Sequence, residues 1–405
     1  MRIAEYDLSA LPDVTPECKL SIDSGDTILD KLWRIALYDV ERNFCIATEC
    51  GRTFSAGAYG KDFSGLVFNR DVAYSGLLGL NRVFPEKMLE SLKTIRECRK
   101  ALDFHCFEAC GSRLRGVDGV ICEDLTPAEF FEKHRKASAI NKTDDVCWLW
   151  CAEDLLDHNG YNEWEWLYEN GEYCFSRLYE PFYDESDGMY YGQPTFIDVG
   201  HSGYPDGYNE ITEEGRNRCV WLKAASTNCL YYKGLRVMER AAEILGKDGG
   251  FYSARAGRLK ESIREKLSDS EGHICYFLYP EGKREKRRDA LGTAFCVLCG
   301  IAEDKRLFED YPITALGVPL LNPFYPRGDY YHNNSAWPFA DTFFLKARDA
   351  ALGTDSSGLR LSILLNSFRD GHFREYRDLR SGEISGSWAQ LWTTAAFIGV
   401  MVERQ

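Results

Sequence analysis

Apolar positions recur every three to four residues along most of this chain. From Ser24, the residues Ile28, Leu29, Leu32, Trp33, Ile35, Ala36 and Val40 share one helical face, and Ser24 or Asp26 is placed to cap it. The same period returns at about 71–81 and 86–101, from Pro127 to Ser138, from Val146 to Asp157 and from Trp164 to Tyr179. It then runs from Asn217 to Leu245, where Gly246 and Gly249-Gly250 stop it, and over 251–268. Asp289 is placed to cap a helix from Ala290 to Ile301, and further helices are predicted at about 333–350, 356–369 and 386–403. No period-2 alternation marks a strand ladder, and no low-complexity linker divides the chain.

About twelve helical segments, joined alternately by short turns and by long Gly/Pro/aromatic loops, predict an all-α fold: an (α/α)6 toroid of six inner and six outer helices. The long loops would line one mouth, where function is expected. Residues 1–25, with Pro12 and Pro16, are expected to be an irregular N-terminal segment, and 26–405 a single barrel domain.

Composition narrows the class of ligand. The net charge of -14 lacks the basic patches that nucleic acid or an anionic membrane surface requires. Aromatic content of 14% is high, and aromatic rings stack on sugars as well as fill cores. A neutral or weakly charged polyol fits this balance. The 15 cysteines are odd in number and scattered through apolar segments, as at Cys45, Cys147, Cys151, Cys219, Cys229, Cys296 and Cys299. That is the usage of a reduced, cytoplasmic protein whose thiols fill core. Cys296 and Cys299 have no second pair at zinc spacing, so no metal and no cofactor are expected. No signal peptide and no apolar run of about 18 residues is present, and a homo-oligomer is left open.

Four stretches carry candidate chemistry. In Tyr191 to Pro205, Asp198 ends an apolar run just before Gly200, Gly203 and Pro205 force a turn. An aspartate there serves equally as a turn residue or as an acid with a raised pKa. In Gly371 to Glu383, Glu375 lies between Phe373 and Tyr376, while Glu383 lies in a Ser/Gly turn, and a Trp-containing helix follows. Tyr330 to Phe339 sets His332, Asn333, Asn334 and Trp337 together as a hydrogen-bonding wall. Arg70-Asp71 and Asp144-Asp145 are each placed either to cap a helix or to bind hydroxyls.

These stretches resemble a family. Asp187-Gly188, Phe196-Ile197-Asp198 and Gly203-Tyr204-Pro205 resemble the acid-bearing loop of neutral/alkaline invertases. Arg374-Glu375-Tyr376, Ser381-Gly382-Glu383 and Trp392 to Ala396 look like the base-bearing segment of mannosylglycerate hydrolases and processing α-glucosidases. Tyr331 to Pro338 and Asn69-Arg70-Asp71 are similar to elements of glycogen-debranching glucosidases. All belong to the six-hairpin, (α/α)6-barrel glycosidases, and the motifs fall in the same order over about residues 26 to 403. The β-sandwich domain that many such enzymes carry is not expected here.

The resemblance implies an inverting glycoside hydrolase acting on an α-linked di- or oligosaccharide or a small glycoside. Asp198 would be the general acid and Glu375 the general base, with Glu383 in reserve. Arg70, Asp71, Asp145, His332, Asn333, Trp337, Trp388 and Gln390 would bind the sugar. Two alternatives use the same toroid. One is a sugar epimerase of the N-acylglucosamine 2-epimerase type, which needs histidines, of which His201 and His332 sit in candidate loops. The other is a non-catalytic carbohydrate-binding protein.

Overall fold

Helix limits follow the caps that the sequence offers. A computed structural model describes residues 8–48, 51–59, 63, 65–101, 106–109, 112–115, 143–197, 203–208, 218–219, 221–326 and 331–405. Helix α1 (Thr27–Asn43) begins at Asp26, whose carboxylate accepts from the amides of Ile28 (2.8 Å) and Leu29 (3.2 Å). The expected stripe is buried, including Leu32, Trp33, Ile35, Ala36 and Val40. The next principal helices are α2 (Asn69–Ser75), α3 (Pro85–Ala101), α4 (Asp144–Asn159), α5 (Trp164–Tyr173) and α6 (Ala225–Leu245). Then come α7 (Gly250–Ser262), α8 (Ala290–Leu298), α9 (Pro338–Leu352), α10 (Ser357–Leu365) and α11 (Leu391–Glu403). Asp289 caps α8 through the Gly292 amide, as the sequence predicts. The helix predicted from Pro127 to Ser138 lies outside the described residues.

Packing closes these helices into two layers. Helix α2 packs on α4, α4 on α6, α6 on α8, α8 on α9, α9 on α11, and α11 back on α2. That is the inner ring of six. Around it, α1 lies on α11, α3 on α4, α5 and α7 on α6, and α10 on α9 and α11. Between α8 and α9 the outer position is filled by a single 3-10 turn, Lys305–Phe308, packed on α9. The (α/α)6 toroid is therefore present, with its fifth outer helix cut to one turn. At the closing seam the backbones nearly touch. A Cβ on Gly399 of α11 would overlap the Leu78 carbonyl, and one on Gly79 would overlap the Ala395 carbonyl.

Several short antiparallel sheets depart from the all-helical expectation, and the largest of them shapes the site. Strands β1 (Gly57–Tyr59), β2 (Ser335–Ala336), β3 (Phe368–Arg369), β4 (His372–Asp378) and β5 (Ile384–Gln390) form an antiparallel sheet. Its order is β2-β4-β5-β1, with β3 paired to β4. The expectation of no strand ladder rests on alternation, and β4 does not alternate. Phe373, Arg374 and Glu375 are all buried, because both faces of the strand are covered. Accordingly, the last helix starts at Leu391 and not at 386, since Ser387 to Gln390 belong to β5.

The core uses cysteine as a small hydrophobe at Cys147, Cys151, Cys229 and Cys296, all fully buried and free. Burial pushes the Cys147 thiol up to about 12, with the nearby Asp144 adding to the rise. Cys45, by contrast, is exposed. Among the described residues, no helix is long and apolar enough to cross a membrane.

Candidate active site

The N-terminal ends of α2, α9 and α11 meet around a cavity of about 400 Å³, counting its open mouth. Helix α2 contributes Arg70 and Asp71, with Phe63 and Phe68 from the segment before it. The turn leading to β2 and α9 contributes Tyr331 and His332. The β4–β5 hairpin contributes Glu375 and Gln390, and Trp392 and Phe196 complete the wall. The lining thus combines five aromatic rings with one guanidinium and two carboxylates, a mixture suited to stacking on and hydrogen-bonding a polyol.

Glu375 is the most constrained of these groups. It is only 2% exposed. Tyr331 Oη donates to its Oε1 at 2.6 Å, and the Ser387 amide donates to its Oε2 at 2.8 Å. Pairing runs from Arg374 with Trp388 to Tyr376 with Ser385, so Glu375 faces an irregularity where β5 supplies one extra residue. Gly386 fills that place at φ 84°, and a Cβ there would occupy the position of the Glu375 carboxylate. Three residues on, Ala389 is also left-handed, at φ 49°. It is fixed by the Asn43 side-chain amide, which donates to its carbonyl at 2.8 Å. Gln390 follows, with its amide nitrogen donating to the Ala56 carbonyl (3.1 Å) and its oxygen accepting from Trp392 Nε1 (3.2 Å).

Arg70 is fixed from both ends. Its amide donates to Asp144 Oδ1 at 3.1 Å, and Nη1 donates to the Thr195 carbonyl at 2.8 Å. Tyr74 and Thr143 hydroxyls also meet Thr195 Oγ1, at 3.2 and 2.5 Å. Helices α2 and α4 thereby grip the extended run that leads to Asp198. Asp198 itself lies outside the described residues, as does His201. The chain on either side is pinned at the cavity wall. Phe196 lines the cavity, and Tyr204 Oη donates to the Ile197 carbonyl. Tyr276 Oη donates to the Gly203 carbonyl at 3.1 Å, and Gly203 sits against the His332 carbonyl.

The structure thus brings together Arg70, Asp71, His332, Glu375 and Gln390 at one cavity. The other candidates sit elsewhere. Asp145 is fully buried in an ion pair with Arg96, whose guanidinium lies 4.1 Å above the Trp148 ring. It ties α3 to α4 and does not line the cavity. Asn333 clamps Tyr325, accepting from its amide and donating to its carbonyl, each at 2.7 Å. Trp337 stands behind the wall, with Nε1 donating to the Tyr331 carbonyl at 3.0 Å and its ring 4.6 Å from Phe196. Trp388 is 39% exposed under the Arg374 guanidinium, 4.0 Å away, on the sheet face opposite Glu375. Glu383 is exposed in the turn between β4 and β5. Tyr331, Phe63, Phe68, Phe196 and Trp392 line the cavity without having been singled out for it from sequence. Only contacts made across the fold distinguish them from core aromatics.

No protein-family model matches the chain, and no curated protein sequence matches it. Solved structures do. The GH63 mannosylglycerate hydrolase from Thermus thermophilus, in complex with Tris and D-glycerate, superposes with a TM-score of 0.60 at 13% identity. That match covers 91% of this chain and 99% of the other. A glycosidase in complex with glucose gives 0.60 at 14% identity, covering 94% and 98%. A GH78 rhamnosidase of Bacillus sp. GL1 gives 0.56 at 15% identity, covering 95% of this chain and 36% of that one. This chain has the six-hairpin, (α/α)6 fold of those glycosidases.

Proposed function

We propose that the protein is an inverting glycoside hydrolase acting on an α-linked di- or oligosaccharide or a small glycoside. The observation that carries this reading is Glu375. It is a buried carboxylate with a phenol and a backbone amide donating to its oxygens, on the wall of an aromatic cavity that also presents Arg70, Asp71 and His332. In this reading Glu375 takes a proton from water as the water oxygen bonds to the anomeric carbon. Asp198 gives its proton to the departing glycosidic oxygen on the other ring face. Inversion requires the two carboxyls to stand about 6.5–9.5 Å apart, leaving room for the water. The run from Thr195 to Ile197 reaches the cavity immediately before Asp198, which supports a shared site. Arg70, Asp71, His332 and Gln390 would hold sugar hydroxyls, and the rings of Phe196 and Trp392 would pack against the apolar faces. The fold shared with a mannosylglycerate hydrolase and a glucose-bound glycosidase supports a small glycoside as substrate.

The test is release of product from aryl α- and β-glycosides and common disaccharides, with the product anomer read by NMR. The new hemiacetal is expected with inverted configuration. Glu375→Gln and Asp198→Asn are each expected to lower turnover about 10³-fold while leaving the circular dichroism spectrum unchanged. Near-full activity in either variant refutes the assignment of that residue.

A further inference from the structure

We propose that Tyr331 is the positioning residue of the base, holding Glu375 in one rotamer and keeping it ionised. The inference rests on the reading of Glu375 given above and adds a residue to it. The Tyr331 hydroxyl donates to Glu375 Oε1 at 2.6 Å, the short distance of a donor facing a carboxylate. Its ring cannot swing away. It packs against Trp337 (5.0 Å between centroids), Tyr376 (5.0 Å) and His332 (4.4 Å), and Trp337 Nε1 ties down its carbonyl at 3.0 Å. On the other side, the Ser387 amide holds Oε2, and Gly386 leaves the carboxylate the space it occupies. The carboxylate is thus gripped from two chain segments, with a donor on each oxygen.

A phenol hydrogen bond favours the charged carboxylate over the neutral acid, so it lowers the pH at which the base becomes competent. Among the described residues, the other charged or titratable groups lining the same cavity are Arg70 and Asp71 from α2 and His332 from the turn before β2. Arg377, two residues along β4, is engaged by the carbonyls of Gly382 and Asn366. Arg374 lies on the opposite sheet face with Trp388 and Asp370. Tyr331→Phe removes one hydroxyl and changes no charged side chain.

The experiment compares kcat/KM against pH for the wild type, for Tyr331→Phe and for protein carrying 3-fluorotyrosine at position 331. The substrate is whichever aryl glycoside the wild type cleaves. Tyr331→Phe keeps the ring and its packing. It is expected to move the acid limb upward by about one pH unit, to lower plateau kcat about tenfold and to change KM less than threefold. Fluorotyrosine is a stronger donor and is expected to move the same limb downward, a shift that a purely structural role would not produce. An acid limb unmoved in both, with Glu375→Gln inactive, overturns the role of Tyr331 and leaves the hydrolase reading standing. Full activity of Glu375→Gln overturns that reading instead.

Discussion

Asp145 and Glu375 are both acids set among aromatic residues, and the fold surrounds them in opposite ways. Asp145 faces the Arg96 guanidinium with both partners fully buried, and the pair rests on Trp148. Glu375 receives a phenol and a backbone amide at the wall of a cavity. A carboxylate paired to a guanidinium in a dry core has its charge matched and its geometry fixed, so it joins two helices. A carboxylate on a cavity wall, with a phenol and a backbone amide on its oxygens, faces whatever enters the cavity. Residue type and aromatic neighbours are alike in the two cases. The partner separates them, and the partner comes from 49 residues away for Asp145 and 44 for Glu375.

Three perturbations test this contrast. The largest expected effect is on Asp145. Asp145→Asn leaves Arg96 charged and buried without its counter-ion, and should cost about 3–5 kcal/mol of stability. Urea unfolding measures the loss. The folded fraction should hydrolyse at the wild-type rate, and a catalytic defect at full folding would put Asp145 among the working groups after all.

Asp289 is the intermediate case, buried like Asp145 but held by an amide and not by a cation. Burial raises its carboxyl to about 7, and its hydrogen bonds with the Gly292 amide and the Ser226 side chain only partly oppose the rise. A folded pKa above the unfolded value means that the native state binds the extra proton between the two. The contribution of Asp289 to stability is therefore full near pH 4 and declines as pH rises towards 7, by up to about 4 kcal/mol. Asparagine caps helices as well as aspartate does. Asp289→Asn should therefore abolish this decline, and thermal unfolding across pH 4 to 8 would record a flatter profile. An unchanged profile would mean that the Gly292 amide and Ser226 together can hold a buried aspartate ionised.

The smallest of the three concerns Gly386. Alanine at this position would place its methyl group where the Glu375 carboxylate now lies, and left-handed backbone adds strain. Gly386→Ala is expected to lower kcat about 100-fold, equivalent to about 2.7 kcal/mol of barrier, with KM nearly unchanged. Steady-state kinetics would check this, and full activity would show that the carboxylate does not need the rotamer described.

Helix α1 was legible because it buries one face only, and the period of Leu32, Trp33, Ile35 and Val40 records it directly, whereas the inner helices α2 and α11 are buried on all sides. The β4–β5 hairpin was not legible, because β4 buries Arg374 and Glu375 beside Phe373, and β5 is interrupted by Gly386 and the left-handed Ala389. Candidate residues near helix starts, such as Arg70, Asp71 and Gln390, reached the cavity because the inner helices point the same ends towards it. Asn333 did not, because its side chain is taken up by the Tyr325 backbone, and Trp388 of β5 did not either. One strand residue more or less decides which sheet face a side chain takes, and a local motif does not carry that register. Tyr331 stood in a motif that marked its neighbours His332 and Asn333, yet its value lies in a contact with Glu375 that only the closed ring creates.

The seam where α11 meets α2 has a consequence for how the molecule comes to work. Arg70 and Asp71 lie early in the chain, whereas Glu375, Gln390 and Trp392 lie near its other end, and the cavity exists only where the two meet. During synthesis the first five inner helices can leave the ribosome and begin to pack while the pocket still lacks Glu375. Closure of the ring over more than 300 residues of sequence separation, with glycine facing backbone at Gly79 and Gly399, is a late and long-range event. Competence to act on a ligand then arrives together with completion of the barrel, so a partly folded chain is also an inert one.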